Sequence, residues 1–297
     1  MRVSDVMMGK SFLANLSQMK NNIDKTNREI YTGSKINTPS DSPVGTSKLI
    51  KLNDSISQSE SYKKNIAYSL SFMNESVSAM EEIESEVGNL ESLFAEINNP
   101  TNQPYLKNYS QKIDLAINSL LGAANRSYDG KYLFGGTDFD SKPFDFNSDK
   151  SAVEMQVASI DGEHNVKIGP STVQKVNITG KELFGDIGTN DVFNTLIRIK
   201  EKLNNGELPA DDDVKIVKDF HSNLLNKLSY AGNIQNYLES TDEMISQRIL
   251  NMKNLVSMET DVDVAEAAIS LQNQEYMLQV AYKTASSILP KSIVDYL

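Results

Sequence analysis

The sequence predicts a mainly α-helical protein with a small β domain inserted between long helices that come from both chain ends. Three observations support this fold. Apolar residues recur at alternating intervals of three and four along both halves of the chain, which is typical of helices that pack along a narrow seam. Residues 131–188 are instead rich in glycine, proline and alternating apolar residues. Hydrophobic residues make up only 39% of the chain, which suits thin helical seams better than a large globular core.

The first helix is predicted to begin near Ser4 or Asp5, since either side chain could cap its free N–H groups. Thr26 occupies one position of an otherwise apolar seam on this helix. The apolar members are Phe12, Leu16, Met19, Ile23 and Ile30. Their alternation of four and three predicts a coiled-coil-like contact with another helix.

A joint is predicted after the first helix, because residues 32–45 contain two prolines and two glycines, which cannot continue a helix cheaply. Ser42 is the expected cap of the next helix. Pro43 is its expected first residue, where a missing N–H costs nothing. The predicted joint residues are Gly33, Asn37, Pro39, Asp41 and Pro43.

A very long second helix is predicted over about residues 44–98, followed by a third over about 105–128. At 1.5 Å per residue the second helix would span roughly 80 Å. A globule of this mass has no room for such an element, so we expect an elongated rod. The short loop at residues 99–104 predicts that the two helices run antiparallel.

The β domain is predicted from short alternating runs within residues 131–188. Val153 and Met155 belong to one run, and Val166 and Ile168 to another. The dipeptide at residues 161–162, Asp-Gly, predicts a hairpin turn between strands.

Helical patterns return in the C-terminal part of the chain. Asp191 is predicted to cap a short helix, a long helix follows over about residues 211–257, and residues 260–263 form a break and a new cap. The last helix carries two overlapping apolar seams, so we expect it to contact more than one partner. One seam contains Val264, Ala268, Leu271, Leu278, Tyr282, Ala285 and Leu289. The other contains Ala267, Leu271, Leu278, Ala281, Ala285 and Ile288.

Composition argues against several classes of function. The net charge is −11, from 29 basic and 40 acidic residues, which disfavours binding to nucleic acid or to an anionic membrane. The sequence contains no run of 18 apolar residues, so no membrane span is predicted. The N-terminus lacks the features of a cleaved signal peptide.

We predict no catalytic, cofactor-binding or metal-binding residues. The chain has no cysteine, which excludes thiol nucleophiles and thiolate metal sites. Its two histidines, His164 and His221, fall outside any known catalytic or metal-binding motif.

Three segments resemble the signatures of the bacterial flagellin family, and they occur in the family's order. They are residues 30–37 (IYTGSKIN), 131–137 (KYLFGGT) and 261–267 (DVDVAEA). The chain start (MRVS), the loop at residues 39–43 (PSDSP) and the last five residues (IVDYL) resemble the family members that join hook to filament. Ser42 departs from the commoner aspartate at its position in the loop.

The resemblance implies a structural, non-enzymatic subunit of the bacterial flagellum at the hook–filament junction. Residues 1–31 and 264–297 would be terminal helices that line the inner tube and are disordered in the free subunit. Residues 32–130 and 189–263 would form the helical rod, and residues 131–188 the β-rich outer domain.

The resemblance also implies a set of partners and a location. The partners are other copies of the chain, the neighbouring hook-associated protein, flagellin and a dedicated flagellar export chaperone. The protein would be extracellular, exported by the flagellar type III route without signal cleavage. The expected assembly interface comprises Phe12, Leu16, Met19, Ile23, Ile30, Val264, Leu271, Leu278, Tyr282, Ala285 and Leu289.

Three other functions compete with this interpretation. The nearest is flagellin itself, the filament subunit, which the loop at residues 39–43 and the C-terminal end disfavour. A cytosolic coiled-coil adaptor would use the same seams without export. An enzyme with a divergent site is the weakest alternative.

Overall fold

The computed structural model describes residues 2–188 and 190–288, and its fold is mainly α with a small β region, as predicted. The main helices are α1 (Arg2–Thr32), α2 (Pro43–Ile97), α3 (Leu106–Ala124), α4 (Gly180–Phe184), α5 (Val192–Asn204), α6 (Asp211–Thr260) and α7 (Val264–Ile288). A 3₁₀ helix, Pro100–Tyr105, precedes α3. None of the described helices is long and apolar enough to cross a lipid bilayer.

The predicted starts of α2 and α5 are confirmed, but the start predicted for α1 is wrong, because that helix begins at Arg2 and Ser4 and Asp5 lie within it. Pro43 is the first residue of α2, and Gly45 N donates to Ser42 Oγ at 3.1 Å. The side chain of Asp191 accepts from Asn194 N at 2.9 Å and caps α5. These starts depend on local contacts within one turn, which is why sequence reasoning could place them.

The third helix is shorter than predicted, because it ends at Ala124 and not at Tyr128. Asn125 Nδ2 donates to the carbonyl oxygens of Leu121 and Phe144, each at 2.9 Å. The Asn125 side chain thus satisfies a helix-end carbonyl and ties the chain to a distant strand, so the helix stops there.

The β region consists of three separate two-stranded antiparallel sheets within the described residues. The pairs are β1 (Ser127–Tyr128) with β2 (Lys131–Tyr132), β3 (Phe144–Phe146) with β4 (Val153–Met155), and β5 (Asn165–Lys167) with β6 (Val173–Lys175). Each pair joins strands that are consecutive in the chain, so no crossover is needed.

The hairpin predicted at Asp161–Gly162 is wrong. Gly162 N does donate to Ser159 O at 2.9 Å in a turn, but β4 pairs with β3 and β5 pairs with β6. One actual hairpin turn follows β3, where Asn147 Oδ1 accepts from Ser151 N at 2.8 Å and Lys150 has a φ of +54°. The Asn147 side chain closes this turn by replacing a backbone acceptor. The Asp-Gly dipeptide at residues 161–162 therefore did not indicate where the strands pair.

The chain divides into two compact units. The terminal unit consists of residues up to 58 and from 248 onward, and the central unit consists of residues 59–247. The central unit thus contains the β region together with α3, α4, α5 and parts of α2 and α6.

The core of the central unit is an aromatic cluster shared by a strand and three helices. Phe144 of β3 lies 5.0 Å from Phe184 of α4 and 5.8 Å from Phe193 of α5, measured between ring centroids. Phe184 also stacks on Phe220 of α6 at 5.7 Å. All four side chains are buried. The strand and the helices therefore share one hydrophobic core, which links the stability of the β region to that of the helices.

Candidate assembly surfaces

The two terminal helices pack against each other in the terminal unit. The pair is antiparallel, because Thr26 contacts Gln274 while Val262 N, before α7, donates to Gly33 O, after α1. The predicted α1 positions Phe12, Leu16, Met19, Ile23 and Ile30 are all half-buried. On α7 the half-buried positions are Leu271, Gln274, Leu278, Ala281 and Ala285, and Ala267 is buried.

Only one of the two seams predicted on the last helix faces α1. The buried positions follow the seam that contains Ala267 and Ala281. Val264 is 51% exposed and Tyr282 is 49% exposed, so these two members of the other seam lie outside the contact with α1. Leu289 lies outside the described residues. The packing seen here is within one chain, so the role in assembly expected for the whole set of seam residues, these three included, stays a prediction.

A second apolar surface covers the side of α7 that faces away from α1. Ile269 is 62% exposed and Tyr276 68% exposed, and Val280, one turn further on, is 40% exposed. Residues 269, 276 and 280 are spaced by seven and four, so they form one stripe along the helix. An exposed apolar stripe of this kind is typical of a contact surface for another chain.

The two breaks in the helical pattern pair with each other to form the joint. Lys35 N donates to Thr260 O at 2.6 Å, and Val262 N donates to Gly33 O at 3.1 Å. Between them, Ser34 and Asp261 form an isolated antiparallel β-bridge. Apart from Thr260, these residues belong to two of the segments that resembled family signatures. Gly33 has a φ of +68°, a conformation that a side chain would strain.

Asp41 organises the loop that leads from the joint into α2. Its carboxylate oxygen Oδ2 accepts from Thr38 N at 2.7 Å and from Asn37 N at 3.1 Å, and Asn37 Nδ2 donates to Ser34 O at 2.8 Å. Pro39 lies exposed at the turn between these groups. The structure thus brings together the predicted joint residues from Gly33 to Pro43.

Sequence reasoning missed two further joint contacts. Lys48 Nζ lies 2.6 Å from Glu259 Oε2 and links α2 to α6. A Cβ atom on Gly45 would lie 2.6 Å from Ile36 Cδ1 and 2.7 Å from Ser42 Oγ, so a larger residue there would displace both side chains. Residues 48 and 259 are far apart in the chain, and no local pattern connects them. The close approach at Gly45 also had no sequence signal beyond the glycine itself.

We predict that the order of the joint loop depends on pH through Asp41. Hydrogen bonds from the Thr38 backbone, then the Thr38 side chain, hold the pKa of Asp41 below its usual 3.8. Because the folded-state pKa is lowered, the ionised Asp41 side chain stabilises the joint at pH values above the usual pKa of the carboxyl group. This contribution is lost as the pH falls through the folded-state pKa. The amide signal of Thr38 in NMR should therefore shift with this low apparent pKa.

The matched variants make this pH prediction specific. Asp41→Asn should remove the titration of the Thr38 amide. Asp24→Asn removes the same charge from an exposed position on α1 and should leave that titration in place. A Thr38 signal that titrates normally in Asp41→Asn would contradict the assignment.

The histidines take up structural positions in the central unit. His221 Nδ1 lies 3.0 Å from Glu91 Oε1, which connects α6 to α2. The ring of His164 packs edge-on against Phe139 at 5.2 Å and Phe72 at 6.2 Å. Burial, and then the nearby Lys131, lowers the pKa of His164.

Comparison with known proteins gives a consistent result. The model of the bacterial flagellin N-terminal helical region matches residues 3–138. Flagellar hook-associated protein 3 of Salmonella typhimurium is 23% identical and covers 99% of this chain and 98% of its own length. The protein of the same name from Escherichia coli is 22% identical, with 95% of each chain covered.

A solved structure shows the same fold. Flagellar hook-associated protein 3 from Legionella pneumophila superposes with a TM-score of 0.62 and covers 70% of this chain and 97% of its own. The two sequences are 11% identical, so this similarity concerns the fold alone.

Proposed function

Because this chain carries a flagellin-type N-terminal region and is similar to flagellar hook-associated protein 3 along nearly its whole length, we propose that it joins hook and filament in the flagellum. The similarity supports a structural, hook-associated role, and the near-complete coverage of both chains carries the proposal. The protein acts by binding other subunits and has no enzymatic activity of its own.

The terminal helices supply the surface by which copies of the protein assemble. The α1–α7 pair leaves its seam residues half-buried and the stripe at Ile269, Tyr276 and Val280 exposed. Removing apolar surface from water contributes roughly 25 cal/mol per Å². Neighbouring copies, the adjacent hook-associated protein and flagellin bury these surfaces in the assembled junction.

The same apolar surface has to be covered before the protein is exported. An exposed apolar helix self-associates in the cytosol unless another protein covers it. A dedicated flagellar export chaperone holds α7 in a groove as an amphipathic helix. The protein then leaves through the flagellar type III route and works outside the cell, without cleavage of a signal peptide.

A deletion strain tests the proposed function. Cells that lack this protein should build intact hooks but shed flagellin into the medium, and expression of the wild-type chain should restore attached filaments. A filament subunit would give a different result, because its loss leaves no flagellin to shed. Filaments that stay attached in the deletion strain would contradict the junction role, and a normal flagellum would favour a cytosolic adaptor.

Limited proteolysis tests whether the terminal helices are stable before assembly. We predict that a protease trims residues 1–31 and 264–297 of the purified subunit faster than it cleaves residues 66–128. The terminal helices bury little surface against each other, while Ile66, Met73 and Ile113 are fully buried in the central unit. Mass spectrometry of the fragments gives the order of cleavage. Termini as resistant as the central unit would contradict the prediction.

A further inference from the structure

The seam between α1 and α7 contains a polar pair, Thr26 and Gln274. Gln274 Nε2 donates to Thr26 Oγ1 at 3.2 Å and to Ser270 Oγ at 3.1 Å, and Thr26 Oγ1 lies 3.4 Å from Gln274 Oε1. Thr26 is 8% exposed and is the only buried polar residue among the described side chains of the two helices. The pair lies about two helical turns from the joint.

The apolar part of the seam does not define a single register. Its residues recur every seven positions on both helices, so a slip by one heptad would again bring apolar side chains together. That slip could place Gln274 opposite Met19 and Thr26 opposite Ala267. Neither new neighbour offers a hydrogen bond to the buried Thr26 hydroxyl, and Gln274 would keep only its bond to Ser270 on its own helix, so the slip loses the hydrogen bond between the two helices.

We infer that Thr26 and Gln274 determine which helix α1 pairs with and in which register. A single polar position within an apolar seam is an established way for coiled coils to select register and partner at some cost in stability. Within one chain the pair acts together with the joint, whose hydrogen bonds between residues 33–35 and 260–262 also favour the native register. The use of this selection in the flagellum rests on the proposed function, because assembly brings many similar seams close together.

The absence of cysteine from the sequence allows a direct test by disulfide formation. Met19→Cys with Ala281→Cys reports the native register, because both positions lie seven residues beyond the polar pair on their helices. Phe12→Cys with Ala281→Cys reports a register slipped by one heptad. In a glutathione redox buffer, the fraction of each pair that closes in the purified full-length chain gives the ratio of native to slipped register.

We expect the native reporter to close preferentially in the otherwise wild-type chain. Thr26→Val combined with Gln274→Leu should shift the ratio toward the slipped register by roughly tenfold, since the hydrogen bond that favours the native register is then absent. Thr26→Ser keeps the hydroxyl group and should preserve the native ratio. Gln272→Leu makes the same change on the exposed side of α7 and should also preserve it.

A ratio near one in the wild-type background would overturn the inference, as would an unchanged ratio in the apolar double variant. The measurement uses the isolated chain and does not depend on the flagellum. Filaments that stay attached in the deletion strain would therefore disprove the junction role without changing the disulfide ratio. A disulfide ratio that overturns the register inference would in the same way leave the junction role untouched.

Discussion

Replacing Leu271 and Leu278 together with aspartate is expected to abolish incorporation of the protein at the junction and binding of the export chaperone. Both leucines are half-buried against α1, so each keeps apolar surface available for a further partner. Full burial of two leucines contributes roughly 3–6 kcal/mol before ordering costs. Two carboxylates at the same positions would have to be buried without partners, which is strongly unfavourable.

Two measurements follow the effect of the Leu271→Asp, Leu278→Asp variant. Titration calorimetry against the chaperone should show no binding, and complementation of the deletion strain should leave flagellin in the medium. Gln272→Asp with Gln279→Asp is the matched control, because it adds the same charges with the same spacing at exposed positions. Wild-type affinity in the leucine variant would disprove the prediction.

The central unit should stay folded in the leucine variant, since both residues belong to the terminal unit. Circular dichroism of the purified variant should therefore show a denaturant midpoint for the central unit equal to that of the wild type. A shifted midpoint would mean that the loss of binding arises from unfolding and not from the lost surface.

Phe193→Ala should lower the free energy of unfolding of the central unit by about 3–5 kcal/mol. Phe193 is 0% exposed, and its ring lies 5.1 Å from Phe184 and 5.8 Å from Phe144. Truncation removes these contacts and leaves a cavity among residues that belong to four different elements, which limits their ability to close it. Guanidinium denaturation followed by far-UV circular dichroism measures the loss.

The control for the Phe193 prediction is Leu115→Ala on α3, which removes a side chain that is 71% exposed and should change stability by less than about 0.5 kcal/mol. Phe144→Ala gives an independent measurement from the β region. If the strand and the helices share one core, it should lower the same helical transition that Phe193→Ala lowers. A helical midpoint that Phe144→Ala leaves unchanged would instead indicate that the β region folds separately.

The helices could be predicted from sequence because their signals are local. Pro43 and Asp191 mark helix starts through contacts within one turn, and the spacing of Phe12, Leu16 and Met19 reflects the period of the helix. The strand pairing was harder to predict, because Asn147 closes a turn with its side chain while Asp161–Gly162 makes a turn that joins no paired strands. Turn dipeptides report local backbone preference and say little about which strands pair.

The sequence by itself determined the order of the long helices, the two breaks in the helical pattern and the set of residues on the terminal seams, but not the short helix α4 inside the predicted β domain. The tertiary structure decided which seam of α7 contacts α1, that residues 33–35 pair with residues 260–262, and that Lys48 meets Glu259. Periodicity identifies the faces of one helix, but the choice between two similar apolar faces depends on the partner that covers them. Such partners lie hundreds of residues away in the chain, and only the folded molecule brings them together.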